Sequence, residues 1–176
     1  MIESYAFPED CEFHGVIPHP NAIRIANFEF FWSSTNYLSP FGNETAIFIF
    51  EDFVDWLDDN PKGQVIEYIR DILNYWDLSL KDYNESIIEY DHILRLAEDY
   101  DFDELVLSVD WSIIAIGFGE LIVRGYVDEN IKNIIHLAIL RQMNSIVLDY
   151  FLEDDETFKH LRFIYLTHLL DILEEA

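Results

Sequence analysis

The spacing of hydrophobic residues predicts a chain built almost wholly from helices. In most segments the apolar residues recur at intervals of three and four, the period of one face of a helix. Helices are expected at 64–76, 80–98, 103–124, 128–143, 145–152 and 157–174. Short connections join them, as is usual between antiparallel neighbours in a bundle. In the last helix the expected core stripe is Phe158, Leu161, Tyr165, Leu169 and Ile172.

Turn and capping signals mark one more helix. The stretch "SPFGN" at 39–43 has the composition of a turn, and Asn43 can cap the helix that follows. This helix is expected to run to about Asp59, because the dipeptide Asn60–Pro61 ends it. Residues 22–32 partly alternate and could form a short strand, but a helix is favoured because no partner strand is evident.

The chain is expected to form one all-α domain. Its 176 residues suit a single domain, and no linker divides them. Residues 1–21 contain three prolines and a glycine, so they are expected to be irregular. The longest apolar stretch, 105–123, is interrupted by Asp110 and Glu120, which favours a buried core helix over a membrane span. The expected fold is therefore a single-domain bundle of about seven helices over residues 1–176.

The charge of the chain is unusual. Asp and Glu number 35 against 10 Lys and Arg, a formal net charge of -25. Solubility of a small domain needs a net charge of only about 2–8. Because like charges repel one another in the compact state, this excess opposes folding and suggests a function. Nucleic acids and anionic membranes would be repelled, so the expected partner is a basic protein.

Three acidic segments are predicted to bind that partner. The first is one face of the helix that ends at about Asp59, and its members are Glu51, Asp52, Asp55, Asp58 and Asp59. No Lys or Arg occurs between residues 25 and 61. Like-charged neighbours four residues apart cost roughly 0.2–0.5 kcal/mol each, so stability alone would not select this face. The second segment is Glu98, Asp99, Asp101, Asp103 and Glu104, and the third is Glu153, Asp154, Asp155 and Glu156.

The second acidic segment also resembles part of a calcium loop. Asp99, Asp101 and Asp103 stand at the first, third and fifth positions of an EF-hand pattern, and Asp110 stands at the twelfth. Glu104 occupies the sixth position, where glycine normally supplies the turn, and the sequence has no second such loop. A solvated helix start within an acidic surface is favoured, with a calcium-responsive binding module as an alternative.

Catalytic and cofactor motifs are not found in the sequence. Glu89 and His92 form one Glu-x-x-His, whereas a di-iron bundle needs this motif on two helices. The spacing of Cys11, His14 and His19 matches no familiar zinc site. We therefore predict a protein that is not an enzyme and needs no metal or cofactor. A single cysteine and no evident signal peptide favour the cytoplasm.

The chain contains three carboxylate-rich runs, "EDFVDWLDD", "EDYDFDE" and "EDDE", is small, and has no catalytic motif. In these features it resembles the small acidic immunity proteins of bacterial contact-dependent growth-inhibition systems. The resemblance implies that the protein binds one toxin domain, often a basic nuclease, with an RNase slightly favoured. The acids would then replace nucleic-acid phosphates and block the active site or substrate surface of the toxin. A helical adaptor whose acidity has no role in binding is a further alternative.

Overall fold

Helices make up nearly all the regular structure of the chain. The computed structural model describes residues 4–98 and 101–176, and its only strand-like features there are two isolated bridges. The expectation of an all-α single-domain bundle is confirmed. The eight helices of the described ranges are α1 (Pro20–Ile25), α2 (Glu44–Asp59), α3 (Val65–Tyr75), α4 (Tyr90–Ala97), α5 (Val109–Arg124), α6 (Glu129–Gln142), α7 (Ser145–Leu152) and α8 (Glu156–Glu175).

Capping residues set the bounds of α2 as predicted. The side chain of Asn43 accepts a hydrogen bond from the Ala46 amide at 2.8 Å, which satisfies one of the amides left without a partner at the start of a helix. The helix ends at Asp59, and the Asn60 amide caps it on the Trp56 carbonyl. These bounds fix which residues of α2 face the core and which face solvent.

The prediction of one helix over 80–98 is wrong. The segment instead contains a 3₁₀ turn at Glu85–Ile88, an extended residue at Glu89, and then α4. Short polar side chains before the turn compete for backbone groups. The Asn84 side chain accepts from the Ser86 amide at 2.9 Å, and the Asp82 carboxylate accepts from the Ser79 amide at 2.9 Å.

Residues 22–32 are helical, but in two short pieces. The first is α1, which begins at Pro20, so the irregular segment ends slightly earlier than expected. The imidazole of His19 caps this helix by accepting from the Asn21 amide at 3.1 Å. A 3₁₀ turn at Glu29–Trp32 follows, after Phe28 has formed an isolated bridge with Ser4.

The central helix of the bundle is α5, which packs against α2 on one side and α6 on the other. Glycines allow both close approaches. A Cβ at Gly117 would lie 2.2 Å from the Ile135 side chain of α6, and one at Gly119 would lie 3.0 Å from Phe50 of α2. With the π-helical turn Asp103–Ser108 before it, α5 is long and apolar enough to cross a membrane. However, 83% of its most apolar window is buried inside the bundle, as in a core helix.

The predicted core stripe of α8 is only half right. Leu169 and Ile172 are buried, but Leu161 and Tyr165 are half-buried and Phe158 is exposed. The buried line of the helix is instead Arg162, Leu166, Leu169, Ile172 and Leu173. Arg162 turns inward to donate a hydrogen bond to the Leu38 carbonyl, which rotates the N-terminal half of α8 away from the expected face.

A buried ionic cluster joins α5, α6 and the chain before α4. The Asp110 carboxylate of α5 is fully buried and accepts from Arg141 of α6 at 2.6–3.1 Å. Gln142 donates to the same carboxylate at 2.7 Å, and the Tyr83 hydroxyl donates at 2.6 Å. Burial alone would lower the pKa of Arg141, but the charges and hydrogen bonds of Asp110 and Tyr83 together raise it by more. The pKa is therefore raised overall, and the guanidinium stays protonated. Arg141 also reaches the Leu105 carbonyl at 3.3 Å.

This cluster excludes the role that the calcium-loop pattern gave to Asp110. Both carboxylate oxygens of Asp110 are occupied by protein donors, and the side chain is inaccessible to solvent. Asp101 and Asp103 are exposed, and Asp99 lies outside the described residues. Asp110 is therefore a core residue that holds helices together.

Breaking the cluster from one side should be costly. Asp110→Ala leaves the Arg141 guanidinium buried without its counter-ion, so the free energy of unfolding should fall by about 3–5 kcal/mol. Urea denaturation followed by circular dichroism measures this loss. The matched control is Glu129→Gln, which removes the exposed 2.7 Å pair with Lys132 and should have a much smaller effect. Equal losses for the two variants would contradict the assigned role of Asp110.

Candidate functional site: an acidic and aromatic groove between α2 and α3

The acidic face of α2 is exposed along its whole length. Its members are Glu51, Asp52, Asp55, Asp58 and Asp59, and the opposite side of the helix buries Phe50, Phe53 and Leu57 in the core. The ring of His14 lies 3.3 Å from Glu51. Within the described ranges, no Lys or Arg forms an ion pair with any of these five acids. The predicted face therefore exists as an un-neutralised surface.

A groove of about 670 Å³ lies beside this face, between α2 and α3. Both walls combine aromatic and acidic side chains, and no Lys or Arg is among the residues that line the groove. The residues that line the groove are Glu44, Thr45, Phe48, Ile49, Asp52 and Trp56 of α2, Tyr68, Asp71, Ile72 and Tyr75 of α3, and Trp76.

Tyr68 joins the two walls at the base of the groove. Its hydroxyl donates to the Asp52 carboxylate at 2.7 Å, and its ring lies 5.3 Å from that of Trp56. Burial raises the pKa of Tyr68, and the hydrogen bond and charge of Asp52 raise it further. The hydroxyl therefore stays protonated and holds the Asp52 carboxylate in one position at the edge of the groove.

Two strongly exposed aromatic side chains stand on opposite walls. Phe48 of α2 is 68% exposed and Tyr75 of α3 is 79% exposed. Exposed aromatic surface of this kind is common where a protein meets a partner, because covering it removes much apolar area from water. The groove thus offers apolar contact in addition to its negative charge.

A second depression, of about 610 Å³, continues the groove towards the start of the π-helical turn. Thr45, Tyr75 and Trp76 line both depressions. The second one adds the acids Asp77, Asp101 and Glu104, and no Lys or Arg lines it. The structure therefore brings parts of the first and second acidic segments to neighbouring positions on one surface, which we call the acidic groove.

The other members of the second acidic segment lie outside the groove or outside the described residues. Glu98 is exposed at the end of α4, and Asp103 is exposed beside the Tyr150 hydroxyl. Asp99 falls in the undescribed gap. Of the two aromatic residues in this segment, Phe102 is buried and Tyr100 lies outside the described residues.

The third acidic segment lies at the start of α8 and outside the groove. All four of its residues, Glu153, Asp154, Asp155 and Glu156, are exposed, but none lines either depression. Asp155 caps α8 by accepting from the Phe158 amide at 3.0 Å, and Glu156 pairs with Lys159 at 2.9 Å. Carboxylates at a helix start are stabilised by the helix dipole. Asp155 and Glu156 therefore have a structural role that does not depend on a binding partner.

Several groove residues were missed by sequence reasoning. They include Glu44, Phe48, Asp71, Tyr75, Trp76 and Asp77. One signal in the sequence could have found Phe48. The core positions of α2 are Ala46, Ile49, Phe50, Phe53 and Leu57, and Phe48 falls off that stripe. A single exposed apolar residue is ordinary, but Phe48 stands across the groove from the exposed Tyr75, and together they make a candidate contact surface.

Glu120 and Arg162 are the other buried charged residues of the described ranges, and Arg162 donates to the Leu38 carbonyl while its Nε atom has no hydrogen-bond partner there. Glu120 of α5 accepts from Arg124 at 3.1 Å and from the Asp128 amide at 2.9 Å, so it connects α5 to the start of α6. Burial raises the pKa of Glu120 to about 7. Burial likewise lowers the pKa of Arg162 to about 10. Across residues 4–98 and 101–176, no group of three or more His, Cys, Asp or Glu is arranged to hold a metal ion.

Comparison with known proteins gives no match, either to a family model, to a curated protein or to a solved structure. The interpretation of the acidic groove therefore depends on its own geometry and charge.

Glu120 should make the stability of the protein depend on pH. Its pKa is about 7 in the folded state against an ordinary value of 4.5, so between these pH values the folded chain holds a proton that the unfolded chain has released. The free energy of unfolding should therefore fall as pH rises through this window. Glu120→Gln should reduce this slope, whereas the exposed control Glu129→Gln should keep it. Urea melts at pH 4.5–7.5 test this, and identical slopes for wild type and Glu120→Gln would contradict it.

Proposed function

We propose that the protein is an acidic inhibitor of the immunity type, which binds a basic toxin domain and acts by binding and not by catalysis. The observation that carries this proposal is the acidic groove together with the exposed acids of α2. This surface is negative and includes exposed aromatic side chains, and among the described residues no Lys or Arg lines its two depressions.

The charge of this surface favours a positively charged partner. Asp55, Asp58 and Asp59 project from α2 beside Asp52, so their fields add over a short distance. A field of this kind raises the rate of encounter with a cationic protein and repels nucleic acid. At physiological ionic strength charges are screened beyond about 8 Å, so the nearest acids dominate the final approach.

A nuclease is the partner class that fits these acids best. Nucleases bind the phosphates of their substrate with Lys and Arg, and carboxylates at similar spacing can occupy the same cations. The resemblance to immunity proteins implies the same arrangement, with the acids in place of phosphates. Covering the substrate surface of such an enzyme would inhibit it without any reaction in the inhibitor.

The calcium-responsive alternative is disfavoured, because Asp110 binds Arg141 in the core. The adaptor alternative differs from the proposal in one measurable property. If the acidity had no role in binding, the association rate would be insensitive to salt.

Affinity capture of the natural partner tests the proposal. The tagged protein is used to capture a partner from the native cells, and the purified partner is assayed for nuclease activity with and without the tagged protein. We expect a basic domain whose nuclease activity is lost at a one-to-one ratio. The association rate should fall at least about tenfold between roughly 50 and 500 mM NaCl. A partner that is not basic, or a rate that is independent of salt, would overturn the proposal.

Charge reversal on α2 should slow association with that partner. The double variant Asp55→Lys/Asp58→Lys changes two exposed side chains, so the fold should be preserved. We expect the association rate to fall about five- to tenfold, with a smaller change in dissociation, because steering acts on encounter. The matched control is Glu153→Lys/Asp154→Lys, which makes the same change in net charge away from the groove. Equal slowing by both variants in stopped-flow measurements would show that α2 is not the contact.

A further inference from the structure

We propose that the acidic groove binds one amphipathic helix of the basic partner. The apolar side chains of this helix would insert between Phe48 and Tyr75, and its Lys and Arg side chains would meet Glu44, Asp52 and Asp71. This inference rests on the proposed function and names the form in which the partner is recognised.

The shape of the groove favours a helix. Along the α2 wall the lining residues fall at 44, 45, 48, 49, 52 and 56, and along the α3 wall they fall at 68, 71, 72 and 75. Residues three and four apart on each wall form ridges of the kind that pack into the grooves of another helix. The α2 wall from Glu44 to Trp56 is about 18 Å long, which matches about three turns of a partner helix.

The backbone of the walls argues against an extended partner. Both walls are α-helices, so outside the first and last turns their amide and carbonyl groups are already hydrogen-bonded within the helix. A peptide that binds as an added strand needs an exposed sheet edge, and the described residues contain none. A helical partner satisfies its own backbone groups and needs only side-chain contacts from the groove.

The chemistry of the lining defines the side chains of the partner. Trp56, Tyr68 and Ile72 provide an apolar floor, and the exposed rings of Phe48 and Tyr75 provide its rims. Acids stand at Glu44, Asp52 and Asp71 with no lining cation to neutralise them. Apolar anchors in a desolvated centre with complementary charges around them form the usual arrangement of a strong protein contact. The complementary helix is therefore apolar on one face and basic on its flanks.

Model peptides provide the first test. We compare two labelled peptides of about 14 residues with the same Leu and Lys composition. One has leucine at every third or fourth position, as on one face of a helix, and the other alternates leucine with lysine, as in a strand. We expect the helical peptide to bind about tenfold more tightly in fluorescence anisotropy. In the complex the indole NMR signals of Trp56 and Trp76 should shift, while those of Trp32 and Trp111 should not.

Variants of the rims test the site itself. Phe48→Ser/Tyr75→Ser should remove the advantage of the helical peptide, because the two most exposed rings of the groove are lost. The matched control is Tyr126→Ser/Phe163→Ser, which removes two rings that are 45% and 44% exposed and line neither depression. The control should bind the helical peptide like the wild type.

The outcomes separate this inference from the proposed function. If the two peptides bind equally and the rim variant has no effect, while Asp55→Lys/Asp58→Lys still weakens binding, the helical inference is overturned and recognition by charge stands. Tighter binding of the alternating peptide would also overturn the inference. If Asp55→Lys/Asp58→Lys leaves the affinity for both peptides unchanged, the proposed role of the α2 acids fails as well.

Discussion

The buried contact between Asp110 and Arg141 is the constraint on which the rest of the bundle depends. It fixes α5 against α6, and through Tyr83 it also fixes the chain that leads from α3 to α4. A buried ion pair adds little net stability compared with an apolar pair, but it strongly penalises any arrangement that separates its members. Because α2 packs on α5, the position of α5 also determines which face of α2 reaches solvent.

The high negative charge is tolerated because the acids and the core are kept apart. The net charge is -25, yet within the described ranges Asp110 and Glu120 are the only fully buried carboxylates, and each contacts an arginine. The remaining described acids lie on helix faces, helix starts and turns. Some of them, such as Asp155 at the start of α8, have a structural use. Within the described ranges, those of α2 and the acidic groove form no ion pair with a Lys or Arg and stand beside exposed aromatic rings, which is why the groove is the preferred candidate for recognition.

Local sequence signals predicted the helices better than they predicted the site. The bounds of α2 followed from Asn43 and Asn60, and the burial of α5 followed from a long apolar stretch that Asp110 and Glu120 interrupt. The break before α4 was missed because it depends on side-chain hydrogen bonds from Asp82 and Asn84, which helical periodicity does not reveal. The acidic face of α2 was predicted from the spacing of its carboxylates.

The rest of the groove could not be read from spacing, because it forms only when α2 and α3 are placed side by side. The role of Asp110 likewise depends on packing between helices. Its spacing from Asp99 suggested a metal ligand, and only the packing of α6 shows that it binds Arg141. Residues that act within one helix were therefore predictable, and residues that act between helices were not.

Hydroxyl-radical footprinting of the complex with the captured partner tests the location of the contact most directly. The method oxidises exposed aromatic side chains, so it reads the rims of the groove and the rest of the surface in one experiment. We expect Phe48 and Tyr75 to become protected in the complex, while Tyr126 and Phe163 are oxidised as before. Unchanged oxidation of Phe48 and Tyr75, with protection of Tyr126 or Phe163, would contradict this expectation.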